Sequence, residues 1–294
     1  MSTTPLIGAQ ELLAAVNSEH PPLLLDVRWQ LIASRPEDPA HPVGYADYLE
    51  AHLPGAVFVD LSTELAGPAS REAGRHPLPG AADFASAVER WGLAEGQLAI
   101  FYDDQGGLSA ARGWWLARHA GLDARVLDGG LQAWIAAGGE CVAGPGAPPV
   151  PERPATAGWG YMPVVDADGI AALAAASARG VEDAVVLDAR AGERYRGETE
   201  PIDPRAGHVP GARSLPTAGN LAPGRRLLPP GALQERFAAQ GAVPGARVGV
   251  YCGSGVTASH QILALATVGV GAALYPGSWS QWSCDDARPV ATGA

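Results

Sequence analysis

Cysteine is scarce in this chain: three in 294 residues, at Cys141, Cys252 and Cys284, far apart and without metal-ligand spacing. That pattern argues against a disulfide framework and a cysteine-built metal centre, and it fits a reducing compartment. Basic charge is also short. Lys and Arg number 20 against 31 Asp and Glu, for a formal net charge of −11. Such a surface attracts neither nucleic acid nor an anionic membrane, while leaving room for local positive pockets. Long hydrophobic runs are missing. The longest, Ile262 to Tyr275, is interrupted by glycine and threonine and is too short to span a bilayer. The first residues, Met1-Ser2-Thr3-Thr4-Pro5-Leu6, offer neither the basic start nor the apolar core of a signal peptide, so the expected location is the cytoplasm. What is present describes a globular protein, 47% hydrophobic and 17% charged, with enough length for about two domains.

The chain resembles itself. Leu24-Leu25-Asp26-Val27-Arg28 answers Val186-Leu187-Asp188-Ala189-Arg190, and Ala51-His52-Leu53-Pro54-Gly55-Ala56 answers Gly207-His208-Val209-Pro210-Gly211-Ala212. Ile100-Phe101-Tyr102-Asp103 answers Gly249-Val250-Tyr251-Cys252, and Gly129–Trp134 answers Gly277–Trp282. The offset shrinks from 162 (Leu24 to Val186) to 148 (Gly129 to Gly277), so one unit is duplicated with extra residues in the first copy. Two copies are too few for a solenoid, and two packed domains are expected. In each, Val-, Ile- and Leu-rich runs of strand length alternate with helical stretches such as Ser109–Ala120 and Val256–Val268. That order predicts an α/β fold, a parallel sheet flanked by helices, with ligands at the carboxyl ends of the strands. Five prolines in the eleven residues Gly144–Pro154 predict a stiff, extended linker. The expected boundaries are 1–143, a linker at 144–158, and 159–294.

The densest chemical signal is Cys252-Gly253-Ser254-Gly255-Val256-Thr257, between the apolar run Val248-Gly249-Val250-Tyr251 and a helix-like segment. A strand end, a turn with two glycines and a helix start would aim several backbone N–H groups at one sulfur, and the helix adds its positive end. Both favour a thiolate. Gly253 and Gly255 would supply positive φ and close approach. The alternative is an inert cysteine buried at a strand end.

This run resembles the active-site loop of the rhodanese superfamily, and Cys-Gly-Ser-Gly-Val-Thr is the version typical of 3-mercaptopyruvate sulfurtransferases. The resemblance extends over nearly the whole chain, roughly Leu6 to Val290, and implies two tandem rhodanese-like domains. It also implies that Cys252 takes a sulfur from a donor, holds it as a persulfide and passes it to cyanide, a small thiol or a thioredoxin-like protein. No metal or organic cofactor is implied. The first copy has Asp103 in the cysteine position and is expected to be catalytically silent. The loop amides of Gly253, Gly255, Val256 and Thr257 would stabilise the persulfide. Neutral residues after the cysteine favour a keto acid over thiosulfate, the runner-up donor. A non-enzymatic sulfur carrier or sensor is the other alternative. Cysteine phosphatases of this fold need an arginine six positions after the cysteine, and that place is Ala258.

Three arginines lie in Arg190-Ala191-Gly192-Glu193-Arg194-Tyr195-Arg196. A guanidinium fork suits a carboxylate. By resemblance Arg194 binds the donor's carboxylate, and Arg190 belongs to a structural Asp-x-Arg pair shared with Arg28. Salt bridges to nearby glutamates are the competing reading of all three. The resemblance implies a second substrate arginine about nine residues further on, but that place is Asp203, and the nearest arginine is Arg205. His52 and His208 stand in equivalent turns of both copies and are read as structural. His76 has no counterpart in the second copy. The resemblance pairs it with Ser254 in a Ser-His-Asp arrangement whose aspartate position is here Ser62, with Asp60 and Glu64 as substitutes. Trp279 and Trp282 are expected to pack near the active loop.

Overall fold

The computed structural model describes residues 4–31, 42–181 and 183–294; Met1–Thr3, the first residues of the N-terminal segment discussed above, lie outside them. Two compact units form. The first gathers residues within 1–67, 79–161 and 223–227, and the second gathers 68–78, 162–222 and 228–294. The units therefore do not follow the sequence halves. Segment 68–78 belongs with the second unit, and the proline-rich segment 144–158 belongs with the first.

Unit one contains β1 (Leu6–Ile7), β2 (Leu23–Asp26), β3 (Val57–Phe58), β4 (Ala99–Tyr102) and β5 (Ala124–Leu127). They form one sheet in the order β1-β5-β4-β2-β3, every pair parallel. Unit two contains β6 (Ala184–Asp188), β7 (Arg213–Ser214), β8 (Arg247–Tyr251) and β9 (Ala272–Leu274), ordered β7-β6-β8-β9 and again all parallel. A single parallel bridge, Val164 to Leu274, takes the place that β1 holds in the first sheet. The two topologies are thus the same, as a duplicated unit requires. The central strands β2, β4 and β6 are buried along their whole length, which is why they read as unbroken apolar runs without alternation.

The two cores match at several repeat-related positions. Tyr102, Leu53 and Trp134 in the first match Tyr251, Val209 and Trp282 in the second. The phenol of Tyr102 accepts the Leu53 N–H at 3.2 Å, and that of Tyr251 accepts the Val209 N–H at 3.1 Å. Burial, with a carboxylate nearby, pushes both phenols well above their ordinary pKa, so they stay neutral.

The Asp-x-Arg pairs close these cores at the strand ends. Asp188 accepts the backbone N–H, Nε and Nη2 of Arg190, and Asp26 does the same for Arg28. Burial works against the Arg190 cation, but Asp188 outweighs it and holds the pKa above the ordinary arginine value. The two turn histidines are equally matched. His52 Nδ1 donates to the Tyr48 carbonyl and His208 Nδ1 to that of Tyr195, both at 2.8 Å, each ring stacked on that tyrosine. Segment 144–158 runs without regular structure along unit one, tied by Gly146 N–H to the Tyr48 hydroxyl and by Ala155 N–H to the Leu93 carbonyl.

Candidate active site

Cys252 follows the last residue of β8 and is 2% exposed. Three residues on, helix Val256–Thr267 begins with Gly255 as its cap at φ 81°, a left-handed conformation that glycine adopts without strain. The Gly255 N–H donates to Cys252 Sγ at 3.1 Å. The Val256 and Thr257 N–H groups lie in the first helical turn, where no intrahelical acceptor exists. A negative sulfur at this point has an amide donor and a helix N-terminus beside it. Gly253 differs from expectation. It is not among the positive-φ glycines, and two cations stand beside it. A Cβ placed there would lie 3.5 Å from Arg194 Nη1 and 3.5 Å from Arg75 Nη2.

The equivalent loop of unit one shows what such a nest holds. Asp103 is 1% exposed, and its carboxylate accepts the N–H groups of Gln105, Gly107, Ser109 and Ala110 at 2.8–3.0 Å. A built-in anion fills the nest where the second unit has a sulfur. Asp103→Asn replaces one acceptor oxygen with a donor facing backbone N–H groups. It is expected to destabilise unit one by about 1–3 kcal/mol. The readout is an earlier urea midpoint; an unshifted midpoint would mean that the nest needs no anion.

The other side chains arrive on segment 68–78. Ser70 and Gly74 exchange two backbone hydrogen bonds, making a tight turn. Gly74, at φ 91°, packs so closely that a Cβ would meet the Gly277 carbonyl at 2.6 Å. Arg75 N–H donates to Ser280 Oγ at 3.0 Å, and Ser280 N–H donates to the Gly253 carbonyl at 2.8 Å. The turn is thereby tied to the cysteine loop itself. His76, 8% exposed, lies with Nδ1 2.8 Å from Ser254 Oγ, and Ser254 is 5% exposed. Asp60 and Glu64 are engaged locally in unit one. Asp60 caps helix Leu61–Glu64 through the Ser62 N–H, and Glu64 accepts from Asp60 N–H, Arg90 and Trp91. Ser62 Oγ accepts the Trp29 indole N–H at 3.2 Å.

Arg194 pairs with Glu200 at 2.6 Å and Asp203 at 3.2 Å, while its Nη1 remains beside Gly253. Arg205, expected at the donor site, is used elsewhere. Its Nε, Nη1 and Nη2 donate to the carbonyls of Ser283, Arg288 and Trp282 at 2.8–3.0 Å, so the guanidinium clasps the C-terminal turn. It has no edge left for a substrate. Arg196 pairs with Glu198 at the surface. Trp279 and Trp282 are fully buried, and the Arg190 guanidinium lies 4.5 Å over the Trp279 ring.

Two residues with roles here escaped the sequence reading. Ser278 has φ 53°, rare for a residue with a side chain. Its Oγ accepts the Cys252 N–H at 3.2 Å and donates to the Tyr275 carbonyl at 2.9 Å, fixing the cysteine's backbone. The repeat sets Ser278 opposite Gly130, which has φ 56°, and that mismatch is the signal that could have found it. Arg75 is the other. It directly precedes His76, and Asp203 Oδ1 accepts from its Nη1 at 2.8 Å.

Fold and site define a class: a duplicated parallel α/β protein with a buried cysteine cradled by a glycine turn at a strand's carboxyl end. A family model described as "Rhodanese-like domain" matches residues 8–137 and again 171–285. A Pseudomonas aeruginosa protein named "Probable 3-mercaptopyruvate sulfurtransferase" is 42% identical over 305 residues, covering 100% of both chains. The Mycobacterium tuberculosis "Putative thiosulfate sulfurtransferase SseB" is 41% identical over 292 residues, 98% of this chain and 97% of its own. The crystal structure of SseA from Escherichia coli superposes with a TM-score of 0.75 at 32% identity, covering 94% of this chain and 99% of that one. The chain belongs to the rhodanese family and is a tandem-domain sulfurtransferase. Among the described residues no helix is long and apolar enough to cross a membrane.

Proposed function

We propose that the enzyme moves sulfur from 3-mercaptopyruvate to a thiol, cyanide or thioredoxin-like acceptor through a persulfide on Cys252. The Cys252 thiolate attacks the donor's thiol sulfur. A sulfur–sulfur bond forms, the carbon–sulfur bond breaks, and its electron pair leaves as pyruvate enolate. The thiol proton is released from the outer sulfur and one proton is taken up at the enolate carbon, so the products are pyruvate and an anionic persulfide. The acceptor then removes the outer sulfur and regenerates the thiolate. Loop amides and the helix start stabilise the negative sulfur.

The observation that carries the keto-acid reading is the 2.8 Å Ser254–His76 contact, two residues from the nucleophile. An enolate leaving group needs a proton; sulfite, released from thiosulfate, does not. A hydroxyl backed by an imidazole can polarise the keto oxygen or relay that proton. Thiosulfate is the second reading, favoured by the name of the mycobacterial relative. Comparing kcat/KM for the two donors at matched acceptor concentration tests the choice. A higher value with mercaptopyruvate, and one pyruvate released per persulfide formed, is expected. Preference for thiosulfate would overturn the keto-acid reading.

Ser254→Ala and His76→Ala are each expected to slow single-turnover persulfide formation from mercaptopyruvate by about tenfold, below the usual range for a general acid–base with a complete relay. The double variant should cost less than the product of the two, because the residues act as a unit. Unchanged rates in all three would mean that solvent protonates the enolate.

A further inference from the structure

Arg75 is an arginine with two of its three guanidinium nitrogens unpaired. Its Nη1 is held by Asp203 Oδ1 at 2.8 Å, but Nε and Nη2 are buried and have no partner among the described residues. Leaving two guanidinium nitrogens both buried and unpaired is costly unless a ligand completes them. The unpaired pair is the side-on Nε/Nη2 edge, the one that grips a carboxylate with two parallel hydrogen bonds. It is also in the right place. Arg75 Nη2 and Arg194 Nη1 both lie 3.5 Å from the point where a Gly253 Cβ would stand, next to the nucleophile. Asp203 organises the two cations, giving Oδ1 to Arg75 and Oδ2 to Arg194.

We propose that Arg75 is the second guanidinium that seats the donor's carboxylate, opposite Arg194, with Asp203 as its positioning residue. This rests on the keto-acid reading above and assigns its specificity to a residue outside the Arg194–Arg205 stretch. Asp203 stands where a second arginine was expected; its carboxylate instead anchors an arginine from segment 68–78. Arg205 is thereby free to clasp the C-terminal turn.

The test compares wild type with Arg75→Ala, Arg75→Lys and Asp203→Asn. Three quantities are measured: KM for mercaptopyruvate, kcat/KM for the carboxylate-free donor 1-mercapto-2-propanone, and Ki for pyruvate. Thermal melting checks that each variant is folded. Arg75→Ala should raise the mercaptopyruvate KM and the pyruvate Ki roughly ten- to hundredfold, the loss of one charge-assisted pair. It should leave turnover of mercaptopropanone within about twofold of wild type, the scatter expected where no interaction is removed. Arg75→Lys, which keeps the charge and loses the fork, should fall between, and Asp203→Asn should raise Ki by a smaller factor. An unchanged pyruvate Ki in Arg75→Ala overturns the proposal. So does an equal loss with mercaptopropanone, which would make Arg75 a support for the loop. Should wild type accept only thiosulfate, the keto-acid reading fails separately, and pyruvate inhibition of that reaction still decides Arg75; no inhibition of wild type by pyruvate would overturn it.

Discussion

Cys252→Ser is expected to abolish sulfur transfer, with a loss of at least about a thousandfold from either donor, as for removal of a covalent nucleophile. Serine preserves the size and polarity of the site, so the Gly255 N–H that meets Sγ at 3.1 Å still finds an acceptor. What it removes is the chemistry. A hydroxyl in this loop is protonated, and an alkoxide cannot store sulfur as a stable, transferable pair. Neither of the other cysteines can take over. Cys141 is partly buried and burial pushes its thiol up, away from the reactive thiolate. Cys284 lies just beyond helix Ser278–Trp282, with no helix start and no glycine turn around it. Cys141→Ser and Cys284→Ser are therefore expected to keep most of the activity. Mass spectrometry after donor treatment gives the check: one added sulfur per chain in wild type and both control variants, and none in Cys252→Ser. A persulfide in Cys252→Ser would remove Cys252 from the mechanism.

The local geometry around Cys252 is legible in the sequence because its parts are consecutive. A strand run, a glycine turn and a helix start are consecutive from Val248 to Thr257, and the amide nest follows from that order alone. The duplication was equally legible, since four matched segments fall in the same sequence order and the two sheets share one strand order. What was hidden depends on long-range placement. Nothing near Arg75 in sequence reveals that Gly74 packs against the Gly277 carbonyl, yet that contact brings Arg75 to Asp203. Arg205 is the arginine nearest the expected position along the sequence. The chain between Glu200 and Arg205 turns so that Asp203 faces the loop while Arg205 reaches the C-terminal carbonyls, and a distance along the sequence cannot carry that direction. A linker composition marks where the repeats meet in sequence, while segment 68–78 groups with the second unit with no change in composition.

Arg194→Ala is expected to cost roughly ten- to hundredfold in kcat/KM for mercaptopyruvate, the worth of a charge-assisted hydrogen bond to a carboxylate, and markedly less for thiosulfate. The side chain is 15% exposed, and its Nη1, beside Gly253, makes no hydrogen bond among the described residues, so that edge is available to a donor. The opposing reading is that Arg194 only braces the acidic loop. Its pairing with Glu200 at 2.6 Å makes that a serious alternative. The surroundings separate the two. Glu200 keeps Arg190 at 3.4 Å and still accepts the N–H groups of Ile202 and Asp203, and Asp203 keeps Arg75. The loop therefore retains anchors when Arg194 is gone, and a folded variant with a substrate-specific defect is the expected result. Arg194→Lys should recover part of the loss, because charge survives while the planar fork does not. Equal losses for mercaptopyruvate and thiosulfate, accompanied by a lower melting temperature, would instead make Arg194 a brace for the loop and leave the recognition of the carboxylate to other groups.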